Sequence, residues 1–162
     1  MVPFGEYILW ESCRQMKAWQ KKFSQAENFK ISVNLSGKQL QQKNFVKIID
    51  RTIKETGIQP QNMKLEITES MLMENETQVT EKIRQIRERN IKISLDDFGT
   101  GYYSLSYLHR FPINTLKVDQ SFIRRIGDRN RNLEIVQGII TLTHTLSMDI
   151  IPEGIEIDFH LT

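Results

Sequence analysis

Near the amino terminus the apolar residues Leu9, Cys13, Met16 and Phe23 recur close to helical spacing, with Trp10 and Trp19 beside them and Arg14, Lys17 and Lys21 elsewhere. That periodicity predicts an amphipathic helix from Phe4 to about Phe23. A short β-prone run, Ile31-Ser32-Val33-Asn34-Leu35-Ser36, comes next, then a helix from about Asn44 whose Phe45, Ile48, Ile49 and Ile53 form one stripe. Gly57 is placed to end this helix as a left-handed C-cap. Met63 to Ile67 reads as the second strand, Val79, Ile83 and Ile86 mark the helix after it, and Ile91 to Leu95 is the third strand. Beyond it, Tyr103 to Arg110 has room for a short helix and Pro112 sets off a fourth strand at Thr115–Asp119. A longer helix then carries Leu133, Val136, Ile140 and Leu146 on its buried face, and Met148 to Ile151 supplies a fifth strand before Pro152-Glu153-Gly154.

Strand and helix alternate throughout, with connections of the length that parallel strands need for right-handed crossovers. Two α/β architectures meet that description, a doubly wound sheet and a β/α barrel, and both place their chemistry at the carboxyl ends of the strands. The 162 residues, 39% hydrophobic and 26% charged, fit one soluble domain with a sizeable core. A formal net charge of +2 is too small to imply sequence-independent binding of DNA or RNA. No stretch approaches the roughly 18 consecutive apolar residues of a membrane span, and Met1-Val2-Pro3-Phe4 has no signal-like pattern, so a cytosolic, cytoplasmic chain is expected. Cys13, the single cysteine, excludes an internal disulfide and a cysteine-rich zinc site and reads as a small core residue. The basic cluster Arg124, Arg125, Arg129 and Arg131 reads as a solvated loop.

Chemistry concentrates where the strands end. Asp96 and Asp97, followed by Phe98-Gly99-Thr100-Gly101, close the third strand with two adjacent carboxylates and a glycine-rich turn. Asn34, Glu66 and Glu153 sit at the end of, or just inside, similar runs, and all of these side chains offer oxygen as their metal-binding atom. Hard divalent cations such as Mg²⁺ and Mn²⁺ select such ligands, and a two-metal site needs several carboxylates converging on ions roughly 3.5 to 4 Å apart. Lys117, inside the fourth strand, is a candidate to point into the mouth of the fold, where its ammonium would orient a water or offset phosphate charge. Each residue also has a plain explanation. Asn34 could start a turn that Ser36 caps, Glu66 could point to solvent, Thr68-Glu69-Ser70 could be a helix entry, and Lys117 with Asp119 could be a surface ion pair. The convergence of the whole set favours the metal reading. His109, His144 and His160 lack ligand spacing. Asp97-Phe98-Gly99 is shared with protein kinases, but no companion kinase motif, phosphate-binding loop or serine nucleophile elbow accompanies it.

Taken together, Val33-Asn34-Leu35-Ser36, Leu65-Glu66-Ile67-Thr68-Glu69-Ser70, Leu95-Asp96-Asp97-Phe98-Gly99-Thr100-Gly101-Tyr102, Leu116-Lys117-Val118-Asp119 and Glu153-Gly154-Ile155-Glu156 resemble, in order and spacing, the EAL domain family. The resemblance covers nearly all of residues 1–162. It implies a bacterial phosphodiesterase that linearises cyclic di-GMP to pGpG on a TIM-like (β/α) barrel, using a two-metal site of Mg²⁺ or Mn²⁺ in second-messenger signal transduction. It further implies that Asn34, Glu66 and Asp96 are metal ligands and that Asp97 serves the second metal or its water. Glu153 would stand at the metal centre, Lys117 would hold the attacking water or a phosphate oxygen, and Glu69 would anchor the loop that runs from Asp97 through Tyr102. In that mechanism two metals activate a water and stabilise in-line displacement at phosphorus, with the 3′-oxygen departing. The resemblance assigns no residues to substrate binding.

Departures from the family pattern carry expectations of their own. The Glu-Ala-Leu segment, which supplies another metal ligand from the first strand, does not occur in these residues, nor does the later Gln-Gly-Tyr-type motif. About five parallel strands are predicted, an incomplete barrel against the usual ~250 residues. Such a sheet is expected to leave free edges and an inner apolar surface, and therefore to self-associate as a homo-oligomer or to take up a segment that completes the barrel. Pro152 stands where alanine is usual and Tyr103 where serine is usual, and both are expected to shift local geometry. The expected function is a cyclic di-GMP phosphodiesterase domain with weak or absent activity in this chain alone. The alternative is an inactive remnant that binds cyclic di-GMP or a protein partner. A barrel hydrolase acting on another phosphodiester is disfavoured by the motifs.

Overall fold

Five parallel strands lie side by side in chain order in the computed structural model, which describes residues 2–73, 75–99, 105–121 and 130–155. They are β1 (Ile31–Asn34), β2 (Met63–Thr68), β3 (Lys92–Phe98), β4 (Thr115–Val118) and β5 (Asp149–Pro152). Helices separate them in sequence: α1 (Val2–Lys22) ahead of β1, then α2 (Gly37–Gln41), α3 (Phe45–Thr56), α4 (Glu69–Met73), α5 (Glu76–Arg87) and α6 (Asn130–Thr145). The architecture is that of a (β/α) barrel wall, in which each strand pairs with the next through an intervening crossover.

Alternation along the strands sorts the two faces. Val33, Leu65, Ile67, Ile93, Leu95, Leu116 and Val118 are buried in one cluster with Leu9 and Cys13 of α1, Phe45, Ile48 and Ile49 of α3, and Val79, Ile83 and Ile86 of α5. Burying each of the large side chains stabilises the fold by about 1.5–3 kcal/mol. The opposite face carries Ser32, Asn34, Lys64, Glu66, Lys92, Ser94, Thr115 and Lys117. It is polar, which corrects the expected apolar inner surface. Ile151 of β5, 39% exposed, is its apolar exception.

Local chemistry sets the helix ends. Gly57 adopts φ 68° and its N–H donates to Ile53 O at 2.9 Å, the left-handed cap expected for α3. Ser36 starts α2 with a capping box: its hydroxyl accepts from Gln39 N–H while the Gln39 side chain accepts from Ser36 N–H. This one-turn helix and α4 are too short for periodicity to reveal.

Further expectations need correction. Phe23 is 48% exposed rather than part of the α1 stripe. Along α6 and just past its end the inward residues are Ile139, Leu142, Thr143 and Leu146, with Val136 half-buried, whereas Ile140 is exposed. The adjacent pair Ile139-Ile140 gives two helical stripes of equal apolarity, and packing selects the one through Ile139. The third strand, expected to stop at Leu95, runs on through both aspartates to Phe98. Arg131, expected in a solvated loop, falls within α6, whereas Arg124, Arg125, Arg129, Tyr103, the side chains of Arg131 and Leu133 and the residues from Glu156 onward lie outside the described residues.

Candidate metal centre

At the carboxyl end of the polar face, four strands converge on one ammonium. Lys117 Nζ lies 2.8 Å from Asp96 Oδ1, 2.8 Å from Glu153 Oε1 and 3.3 Å from Glu66 Oε2. Its side chain is only 16% exposed. Glu66 is buried and reaches across β3 to Lys117, so it does not point to solvent, and the lysine's ion pairs run to Glu66, Asp96 and Glu153. Asp119 instead accepts the Ser121 N–H at 2.9 Å.

Adjacent residues of a strand ordinarily face opposite sides, so Asp96 and Asp97 should not share a site. A bulge brings them together. Leu95 registers with Leu116 and Phe98 with Val118, which leaves both aspartates opposite Lys117 alone. Asp97 takes φ 54°, a left-handed conformation that aspartate tolerates better than most residues, and its N–H donates to Asp96 Oδ1 at 3.1 Å. As a result Asp96, Asp97 and Glu153 each offer an oxygen within 4.8 Å of the others.

Glu153 is held from two sides. Its N–H donates to Val118 O at 3.0 Å, continuing the β4–β5 ladder past Pro152. Because Glu153 makes that rung, the donor missing at Pro152 points away from β4, toward the sheet edge, where proline is tolerated. Gly154 adopts φ 73°, and a Cβ there would lie 2.6 Å from Gln120 Cβ, so glycine lets this turn close against the chain leaving β4. Asn34 ends β1 directly opposite Glu66, with Leu35 N–H donating to Glu66 O at 2.8 Å. Its side chain is exposed on the same face. Glu69, buried in the first turn of α4, accepts the Gly99 N–H through Oε2 at 3.2 Å and so ties α4 to the turn after Asp97. Thr100 to Tyr102, the rest of that loop, lie outside the described residues.

The electrostatics follow from crowding. Burial, then the charges of Asp96, Asp119 and Glu153, push the Asp97 carboxyl above its ordinary value, with Lys117 opposing them. For Lys117, burial works against the charged form, but hydrogen bonds to Asp96 and Glu153 and the charges of Glu66 and Asp96 outweigh it and hold the ammonium well above the usual lysine range. Three carboxylates thus share this ammonium, with Asp97 beside them, which leaves negative charge to spare. Closely spaced hard oxygens without histidine or cysteine among them are a donor set that fits Mg²⁺ or Mn²⁺ and not a thiolate-bound metal. His109 and His144 are exposed elsewhere, and Cys13 is buried with its thiol pushed up to about 12 by burial.

The EAL domain model matches residues 1–158. The chain belongs to the EAL domain family. This EAL chain is 37% identical over 156 residues to the signaling protein YkoW of Bacillus subtilis, covering 96% of itself and 19% of that protein. It is 33% identical over 156 residues to the cyclic di-GMP phosphodiesterase PdeR of Escherichia coli K12, covering 96% of itself and 23% of that protein. Its fold superposes on the PaMucR phosphodiesterase in its c-di-GMP complex with a TM-score of 0.88 at 34% identity, covering 98% of this chain and 64% of that one. The EAL chain therefore spans about a fifth of the length of these curated relatives. Among the described residues, no helix is long and apolar enough to cross a membrane.

Proposed function

We propose that this chain forms the catalytic rim of a cyclic di-GMP phosphodiesterase, which hydrolyses the cyclic dinucleotide to linear pGpG at a centre of two Mg²⁺ or Mn²⁺ ions. The observation that carries the reading is the meeting of Glu66, Asp96 and Glu153 at the Lys117 ammonium, with Asp97 beside them, in a chain related to PdeR over nearly its whole length.

Asn34, Glu66, Asp96, Asp97 and Glu153 would hold the metals, which when bound supply Lewis-acid activation of water and stabilise charge on the phosphoryl oxygens. Lys117 is protonated at every physiological pH, so it serves as a fixed cation and not as a general base. Its Nζ donates hydrogen bonds that orient a water or a non-bridging phosphate oxygen while keeping three carboxylates in place. Asp97, less acidic than an ordinary aspartate and exposed at the bulge, is suited to hold the second ion or to take a proton from water. Glu69 fixes Gly99 and through it the bulge that aims Asp97. For these 162 residues taken alone we propose weak or absent turnover, because the family's Glu-Ala-Leu ligand does not occur in them.

Incubation of the purified chain with cyclic di-GMP and Mn²⁺ or Mg²⁺, with calorimetry of binding in Ca²⁺, decides the matter. Formation of pGpG, or metal-dependent binding without turnover, supports a cyclic di-GMP site here. Neither turnover nor binding contradicts it and favours an interaction module.

A further inference from the structure

The Lys117–Glu66 ion pair joins β4 to β2 and so passes over β3. The β3 residue in register with Glu66 is Ser94, and Ser94 registers in turn with Thr115, two residues before Lys117. Both lie on the polar face beneath the bridge. Both are 0% exposed, and neither Ser94 Oγ nor Thr115 Oγ1 has a hydrogen-bond partner among the described residues. Toward the start of the strands a second bridge closes the other side: Lys92 Nζ lies 3.7 Å from Asp149 Oδ2, and Asp149 registers with Thr115. Buried hydroxyls are almost always hydrogen-bonded, and alanine or valine would fill the same space without the cost of desolvating an oxygen.

We propose that Ser94 and Thr115 together hold one ordered water beneath the ion-paired rim, and that this water positions the Glu66 carboxylate. The two hydroxyls donate to the water oxygen, and the water donates to Glu66, giving the three bonds typical of a buried water. Ser94 and Thr115 are thus positioning residues that act on the metal centre through Glu66. The positioning role rests on Glu66 being a metal ligand, as proposed above, whereas the water itself does not.

Urea unfolding of Ser94→Ala, Thr115→Val, the double variant and Thr115→Ser, paired with Mn²⁺ titration calorimetry, tests both halves. A shared water predicts a lowered unfolding midpoint in each single hydroxyl deletion and a double variant that loses clearly less than the two losses combined. Thr115→Ser, which keeps the hydroxyl, retains stability. Mn²⁺ affinity falls about 10-fold in Thr115→Val and is kept in Thr115→Ser. Midpoints that are unchanged or raised in the single variants, or Thr115→Ser behaving like Thr115→Val, overturn the water. Coupled stabilities with equal Mn²⁺ affinity in wild type and Thr115→Val overturn the positioning role alone. A wild-type chain that binds no Mn²⁺ overturns the metal reading and that role with it, while the unfolding cycle still decides the water.

Discussion

Lys117 holds the acidic rim together, and its removal leaves three carboxylates without their shared counter-charge. Lys117→Met should therefore destabilise the metal-free chain at pH 7 by about 2–3 kcal/mol, the cost of breaking a buried pair discounted for the partial exposure of Glu153. Mn²⁺ should recover much of the loss. Urea unfolding with and without the metal checks both, and an undiminished penalty at saturating Mn²⁺ would contradict the shared-carboxylate picture. The pH dependence has a definite sign. Because the folded-state value of Lys117 is raised, its contribution is fully present below the ordinary lysine value of about 10.4 and is lost only as pH rises through the raised one.

The bulge in β3 is the element that converts an Asp-Asp dipeptide into a site. It sets strain and like-charge repulsion against function. Asp97→Asn keeps a residue that tolerates the left-handed backbone and removes the charge. Since the folded-state value of Asp97 is raised, its ionisation disfavours folding above about 3.9, so the variant should gain a little stability in metal-free buffer at neutral pH. That gain should disappear as pH falls through this value. Mn²⁺ affinity should fall by at least about 10-fold, and a variant that binds Mn²⁺ as tightly as wild type would remove Asp97 from the site. The elements themselves were largely legible in the sequence. Five strands, the α1 and α3 stripes and the Gly57 cap follow from periodicity and turn chemistry, and the acids stand out because each ends an apolar run. The bulge was not legible, because a residue's slip against its neighbour depends on the partner strand and not on its own pattern. The need for glycine at position 154 is hidden for the same reason, since it arises from Gln120 on the chain leaving β4. The α6 stripe failed where two isoleucines stand side by side, and the hydroxyls of Ser94 and Thr115 looked ordinary until the Lys117–Glu66 bridge was seen to pass over them.

At the scale of the molecule, β1 and β5 each pair on one side only among the described residues, and the face between them is polar. Unpaired strand edges, and not an apolar lumen, are therefore the reason to expect association. Sedimentation velocity at micromolar concentration should find a species heavier than the 19.1 kDa monomer, and a clean monomer would refute the expectation. The same openness exposes the rim on which the functional reading depends. The most direct test of that reading is anomalous diffraction at the manganese edge from crystals of the chain grown with Mn²⁺. Density within bonding distance of the Asp96, Asp97 and Glu153 oxygens, with Glu66 and Asn34 completing the set, is the result predicted here; manganese bound elsewhere, or none at the rim, would contradict it.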